Sequence, residues 1–218
     1  MTANKNDARR AFLTRLGAGA LVAGVSGQAV NAQAVTGARG WEPARHPQDD
    51  WLDRIPGVHR FIIDTTNAAG FDSALLFVAN YFAANRNEYG LKDSDLAVVI
   101  VARHDSTAFA YTDAMWEKYG AALTRRSGFL DKTTQRAPIV NVYGGRLNSL
   151  LKQGVHLAVC QMATRFYANT IAEPNRSDGD RIFNELRSNL MPNAHLVPAG
   201  IVAVNRAQER GYSFAHAI

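Results

Sequence analysis

Cysteine is nearly missing from this chain of 218 residues: Cys160 is the only one. That excludes an intramolecular disulfide. Metal-site spacing is missing too, since the scattered histidines His59, His156, His195 and His216 join Cys160 or the aspartates in no zinc-like pattern. Gly144-Gly145 precedes a helix-like stretch, but the phosphate-loop pattern is absent, and nothing in the sequence identifies a cofactor. No run reaches the roughly 18 apolar residues of a membrane-spanning helix, so no membrane association is expected once the N-terminal segment is removed. There is no Lys/Arg cluster interleaved with aromatics. Lys5, Arg9, Arg10 and Arg15, set against Asp7, carry three of the five net positive charges, leaving the rest of the chain at +2. So small an excess argues against a nucleic-acid partner.

What is present begins with residues 1–34, which read as an export signal rather than as part of the fold. Arg9-Arg10-Ala11-Phe12-Leu13 resembles the twin-arginine motif. A mildly apolar stretch runs from Leu16 to Val25, and Ala32-Gln33-Ala34 offers a small-x-small cleavage site before Val35. The expected destination is the periplasm. Residues 35–57, with Trp41, Pro43, Pro47, Trp51 and Pro56, read as an irregular arm whose tryptophans dock on the domain or on a neighbouring subunit. Residues 58–218 form one domain of ordinary size.

Within that domain apolar runs alternate with helical periodicity. Val58 to Thr65 reads as a strand, Phe71 to Tyr89 as a helix capped by Gly90, and Asp95 to His104, containing LAVVIVA, as a central parallel strand. Thr112 to Tyr119 is predicted helical with Gly120 beyond its end, Pro138 to Tyr143 a third strand, and Arg146 to Lys152 a short helix. Val155 to Cys160 is predicted as a strand followed by a helix over 161–172, a polar loop, and a helix from Arg181 to Leu190. A short strand at Ala194 to Val197, a helix from Ala199 to Arg210 and an extended piece at Tyr212 to Phe214 close the chain. Strands alternating with helices predict an α/β fold: a mainly parallel sheet of about five strands in a three-layer α/β/α, flavodoxin-like arrangement.

Ligands of such sheets bind beyond the carboxyl ends of the strands. Those ends carry Asp64, Thr65 and Thr66, then Arg103, His104 and Asp105, then Tyr143, then Cys160 and Gln161. Cys160 stands at a strand-to-helix junction, where backbone N–H groups and the helix dipole favour negative charge. The alternative is a buried small hydrophobe. Beside Cys160, the candidates are His104 as a base or thiolate partner, with Asp64, Thr65 and Gln161 in support. His156 lies four residues before Cys160, on the same face but about 13 Å away along a strand, too far for a dyad. Arg125-Arg126 is expected to decorate a loop.

GVHLAVC at 154–160 and LMPNAHLVPAGIVAVNRAQERGYSF at 190–214 resemble the DsrE/DsrF-like family, which includes sulfur-relay proteins. The pattern is a strand ending in cysteine, then a helix, a Val197-Pro198-Ala199-Gly200 turn, another helix and a terminal Gly211-Tyr212 strand; VVIVARHD at 98–105 resembles the family's second strand. The resemblance spans roughly residues 58–216. It implies a compact α/β/α domain, homo-oligomerisation as a trimer or hexamer, and persulfide chemistry at Cys160 with thiol donor and acceptor proteins as partners. Two function classes stand side by side. In one, an exported sulfur-trafficking protein carries sulfane sulfur on Cys160. In the other, a non-catalytic periplasmic module binds a small ligand or a protein, and the aromatics Phe109, Tyr111, Trp116 and Tyr119 of the 105–136 insertion either form its surface or close the core.

Overall fold

The fold is that of a computed structural model, which describes residues 42–218. Residues 1–34, which the sequence predicts to be an export signal, and Trp41 lie outside the described residues. LAVVIVA explains the centre of the molecule. As strand β2 (Leu96–Ala102) all seven residues are buried, which requires cover on both faces of the sheet. Val98 and Ile100 face one apolar layer, while Ala97, Val99 and Val101 face the other. Around β2 are β1 (His59–Thr65), β3 (His156–Cys160), β4 (Ala194–Val197) and β5 (Ser213–Ala217), in the order β4-β3-β2-β1-β5. Every pairing is parallel.

One layer holds α2 (Ala68–Tyr89), α3 (Asp113–Thr124), α4 (Gly144–Lys152), α5 (Gln161–Ala172) and α6 (Gly179–Ser188). The opposite layer holds α1 (Trp51–Arg54) and α7 (Gly200–Gln208). The expected three-layer α/β/α architecture is therefore present. The arm is more ordered than its composition predicts. Its Trp51 and Leu52 are buried, Tyr212 donates from its hydroxyl to the Leu52 carbonyl at 2.7 Å, and the fully covered Arg210 side chain pairs with Asp53 at 3.2 Å.

Three elements depart from expectation. Pro138 to Tyr143 is not a strand, because β2 and β3 pair directly and leave it no slot. Its Ile139 and Val140 are exposed. Side chains take up its backbone N–H groups instead: Asn141 N donates to Asp113 Oδ1 at 2.8 Å and Tyr143 N to Asn141 Oδ1 at 3.1 Å, while Asn141 Nδ2 ties the segment to the Phe109 and Tyr111 carbonyls. Gly120 does not end α3 but lies inside it. The Pro138 carbonyl crosses the helix so closely that a Cβ at Gly120 would stand 1.9 Å from its oxygen. The C-terminal piece is a full five-residue strand, β5, which pairs with β1 from Phe61↔Ser213 to Thr65↔Ala217. Phe109, Tyr111 and Trp116 belong to the core, so these insertion aromatics close it rather than forming a surface.

Candidate functional site

β3 and β4 are neighbours, yet the chain leaves them on opposite faces of the sheet: α5 follows β3 on one side and α7 follows β4 on the other. Such a divergence opens a crevice at the carboxyl ends of the strands. A cavity of about 260 Å³ occupies it, and Cys160 lines it. Met162, Ala163, Phe166 and Tyr167 of α5 form one wall, Ala199, Gly200 and Ile201 the other, and Arg103, His104, Asp105 and Arg126 complete it. Met162, Phe166 and Ile201 are exposed at its rim. Cys160 itself is only 7% exposed, so the cavity is its route to small molecules.

Cys160 is the N-cap of α5. Its carbonyl accepts from Thr164 Oγ1 at 3.0 Å, and Thr164 Oγ1 in turn lies 3.0 Å from the buried Tyr111 hydroxyl. Burial pushes the Tyr111 phenol up, so it stays a neutral donor. The strand end is thus fixed from behind. The first N–H groups of α5 and α7 lack intrahelical acceptors, and both helix starts border the same cavity.

Asp64 does not line the cavity; it anchors a residue that does. Only 2% exposed, it accepts from Arg103 Nε at 2.7 Å and from Arg103 Nη2 at 2.8 Å. His216 Nδ1 lies 2.9 Å from the second carboxylate oxygen. The Asp64 hydrogen bond raises the pKa of the Arg103 guanidinium, burial opposes it, and the charges of Asp64 and of an ionised Cys160 add to the rise. Gly200 makes the arrangement possible, because a Cβ there would lie 2.7 Å from the Arg103 Cβ. This is the physical reason for a glycine at the end of the Val197-Pro198-Ala199-Gly200 turn.

The other expected residues divide. His104 lines the cavity, is exposed, and holds φ at +53°, a left-handed conformation uncommon for a side-chain-bearing residue. Gln161 is exposed and outside the lining. Thr65 points away into the structure: its hydroxyl donates to the Val101 carbonyl at 2.7 Å and lies 2.9 Å from Ser106 Oγ. Tyr143 is not at a strand end but packs on Phe109 with centroids 4.7 Å apart. Arg126 does more than decorate a loop. It lines the cavity, sits over the Phe166 ring at 5.4 Å and pairs with Asp105 at 3.3 Å. Sequence reasoning placed Arg103 at a ligand-facing strand end without a specific role, and gave none to His216. The signal for Arg103 was its place directly after β2; for His216 it was the register partner Asp64, which only the β1–β5 pairing reveals.

At the amino end of β3 the chemistry is different. His156 Nδ1 and His195 Nε2 are 2.9 Å apart, and Trp51 stacks on His195 at 4.0 Å between centroids. Burial pushes His195 down to about 4, and the neighbouring His156 and Arg54 add to the shift. Among the described residues no group of three or more His, Cys, Asp or Glu side chains is arranged to hold a metal ion.

No family model matches the chain, and no curated protein does so either. Among solved structures, a protein of unknown function from Methanobacterium thermoautotrophicum is similar at 15% identity and a TM-score of 0.39, over 72% of this chain and 98% of that one.

Proposed function

We propose that this protein is exported and carries sulfane sulfur as a persulfide on Cys160. The observation that supports the reading is the placement of the lone thiol. It borders a crevice between two helix N-termini, beside a cation and within reach of small molecules. A carrier needs a thiolate for attack and a way to hold the terminal sulfur as an anion. In the loading step the Cys160 thiolate attacks the outer sulfur of a polysulfide. A Cys160 S–S bond forms, the bond to the next sulfur breaks, and the electron pair leaves with the shortened polysulfide anion. Passing the sulfur on reverses this at a partner thiol. A homo-oligomer, trimeric or hexameric as the sequence resemblance implies, belongs to the same proposal. Sedimentation velocity tests that part, and cell fractionation of an Arg9→Lys/Arg10→Lys variant tests export.

The loading test is intact mass after polysulfide treatment of the folded protein. The expected result is a gain of one or more sulfur atoms that prior alkylation blocks and that Cys160→Ser lacks. An unchanged wild-type mass refutes the proposal. The second reading, a non-catalytic binding module, is favoured by the slight exposure of Cys160 and the apolar cavity walls. It predicts a native thiol inert to alkylation.

A further inference from the structure

The polar groups around the Cys160 cavity are mainly of one sign. Arg103 contributes a guanidinium whose Nε and one Nη2 hydrogen are committed to Asp64, while its Nη1 makes no hydrogen bond to any described residue. The carboxylate that balances its charge is not in the lining. Asp64 sits behind, with both oxygens taken by Arg103 and one of them also facing His216. Asp105 is the only acidic residue of the lining; Arg126 Nε lies 3.3 Å from its Oδ1 as a charge contact, without a hydrogen bond. The starts of α5 and α7 add partial positive charge from two directions. Met162, Phe166 and Ile201 supply apolar area at the mouth. The volume suits a ligand smaller than drug size.

We infer that this cavity selects small anions with a short apolar body and delivers them to Cys160. Arg103 is the group that receives the anionic end, and Asp64 and His216 are its positioning residues. This deepens the persulfide proposal and rests on it for the identity of the donor, which is then an anionic one such as an organic thiosulfonate. The step balances without an added oxidant. The Cys160 thiolate attacks the outer sulfur of R–SO₂–S⁻, a Cys160–S–S⁻ group forms, the bond to the sulfonyl sulfur breaks, and the electron pair departs with the sulfinate R–SO₂⁻ beside Arg103.

Charge selection is tested separately from sulfur transfer by alkylating the native full-length chain with iodoacetate and with iodoacetamide. The two are of similar size and differ in charge. In each, the thiolate forms an S–C bond and iodide leaves with the electron pair. Their rate ratio cancels the thiolate fraction, and glutathione gives the reference ratio. The expected result is a preference for iodoacetate about tenfold above glutathione's, the scale of one nearby, partly desolvated charge. Arg103→Gln is expected to abolish it. Should that variant not fold because Asp64 is left unpaired, Arg103→Met combined with Asp64→Asn removes both charges and is expected to give the same loss. A ratio equal to glutathione's, a ratio unchanged in the Arg103 variants, or no native-state reaction with either reagent overturns the inference. Anion preference without sulfur loading refutes the persulfide reading while leaving the anion site standing.

Discussion

His156 and Cys160 bound the same five-residue strand and, by the pleat, share its α7-facing side. The amino end is covered by α1, with both histidines half-buried. Trp51 lies flat on His195, His195 meets His156, and Asp53 and Leu52 tie α1 to Arg210 and Tyr212. The carboxyl end is open, with a cavity where α5 and α7 part and a cation held at its edge. Burial at the first end drives histidines toward the neutral form. At the second, a buried carboxylate fixes a guanidinium in its charged form. The difference teaches that the same face of one strand is packed beneath α1 at one end and borders a cavity at the other.

The contrast is broken most severely at the covered end. Trp51→Ala removes a large, nearly buried ring and is expected to cost about 3–5 kcal/mol of stability. Urea unfolding measures this, and the iodoacetate-to-iodoacetamide ratio at Cys160 is expected to be unaffected while the protein stays folded. At the open end, Gly200→Ala forces a Cβ against the Arg103 stem. It is expected to destabilise by about 1–3 kcal/mol and, unlike Trp51→Ala, to change that ratio. A ratio that moved equally in both variants would erase the distinction between the ends.

A smaller effect is expected from pH. His195 is held at about 4 in the folded protein against an ordinary 6.5, so on acidification the unfolded chain takes up its proton first. Its contribution is full above about pH 6.5 and is lost as pH falls toward about 4. His156 is shifted in the same direction by burial and adds to the loss. Urea midpoints across this range are expected to fall for wild type and to fall less for His195→Gln. Equal slopes would show that the pair is not held neutral.

The features legible in the sequence are those whose signal is local. LAVVIVA announces a strand covered on both faces, and Cys160 marks a strand-to-helix junction within a few residues. PIVNVY carries the same apolar composition but has no place in the sheet, so composition alone misreads it. Gly120 resembles a helix stop, although it serves a close crossing from residues far along the chain. The Asp64–Arg103–His216 cluster depends on the pairing of β1 with both β2 and β5. No local pattern encodes that order, and without it three polar residues look unrelated.

The most direct measurement is the rate at which iodoacetamide modifies Cys160 in the native chain as urea is raised through the range below unfolding. An open cavity predicts prompt modification without urea and a rate nearly flat until the unfolding transition. A thiol silent in the native state, whose modification rises in proportion to the unfolded population, would make Cys160 a core residue and contradict the assignment of chemistry to this end of the sheet.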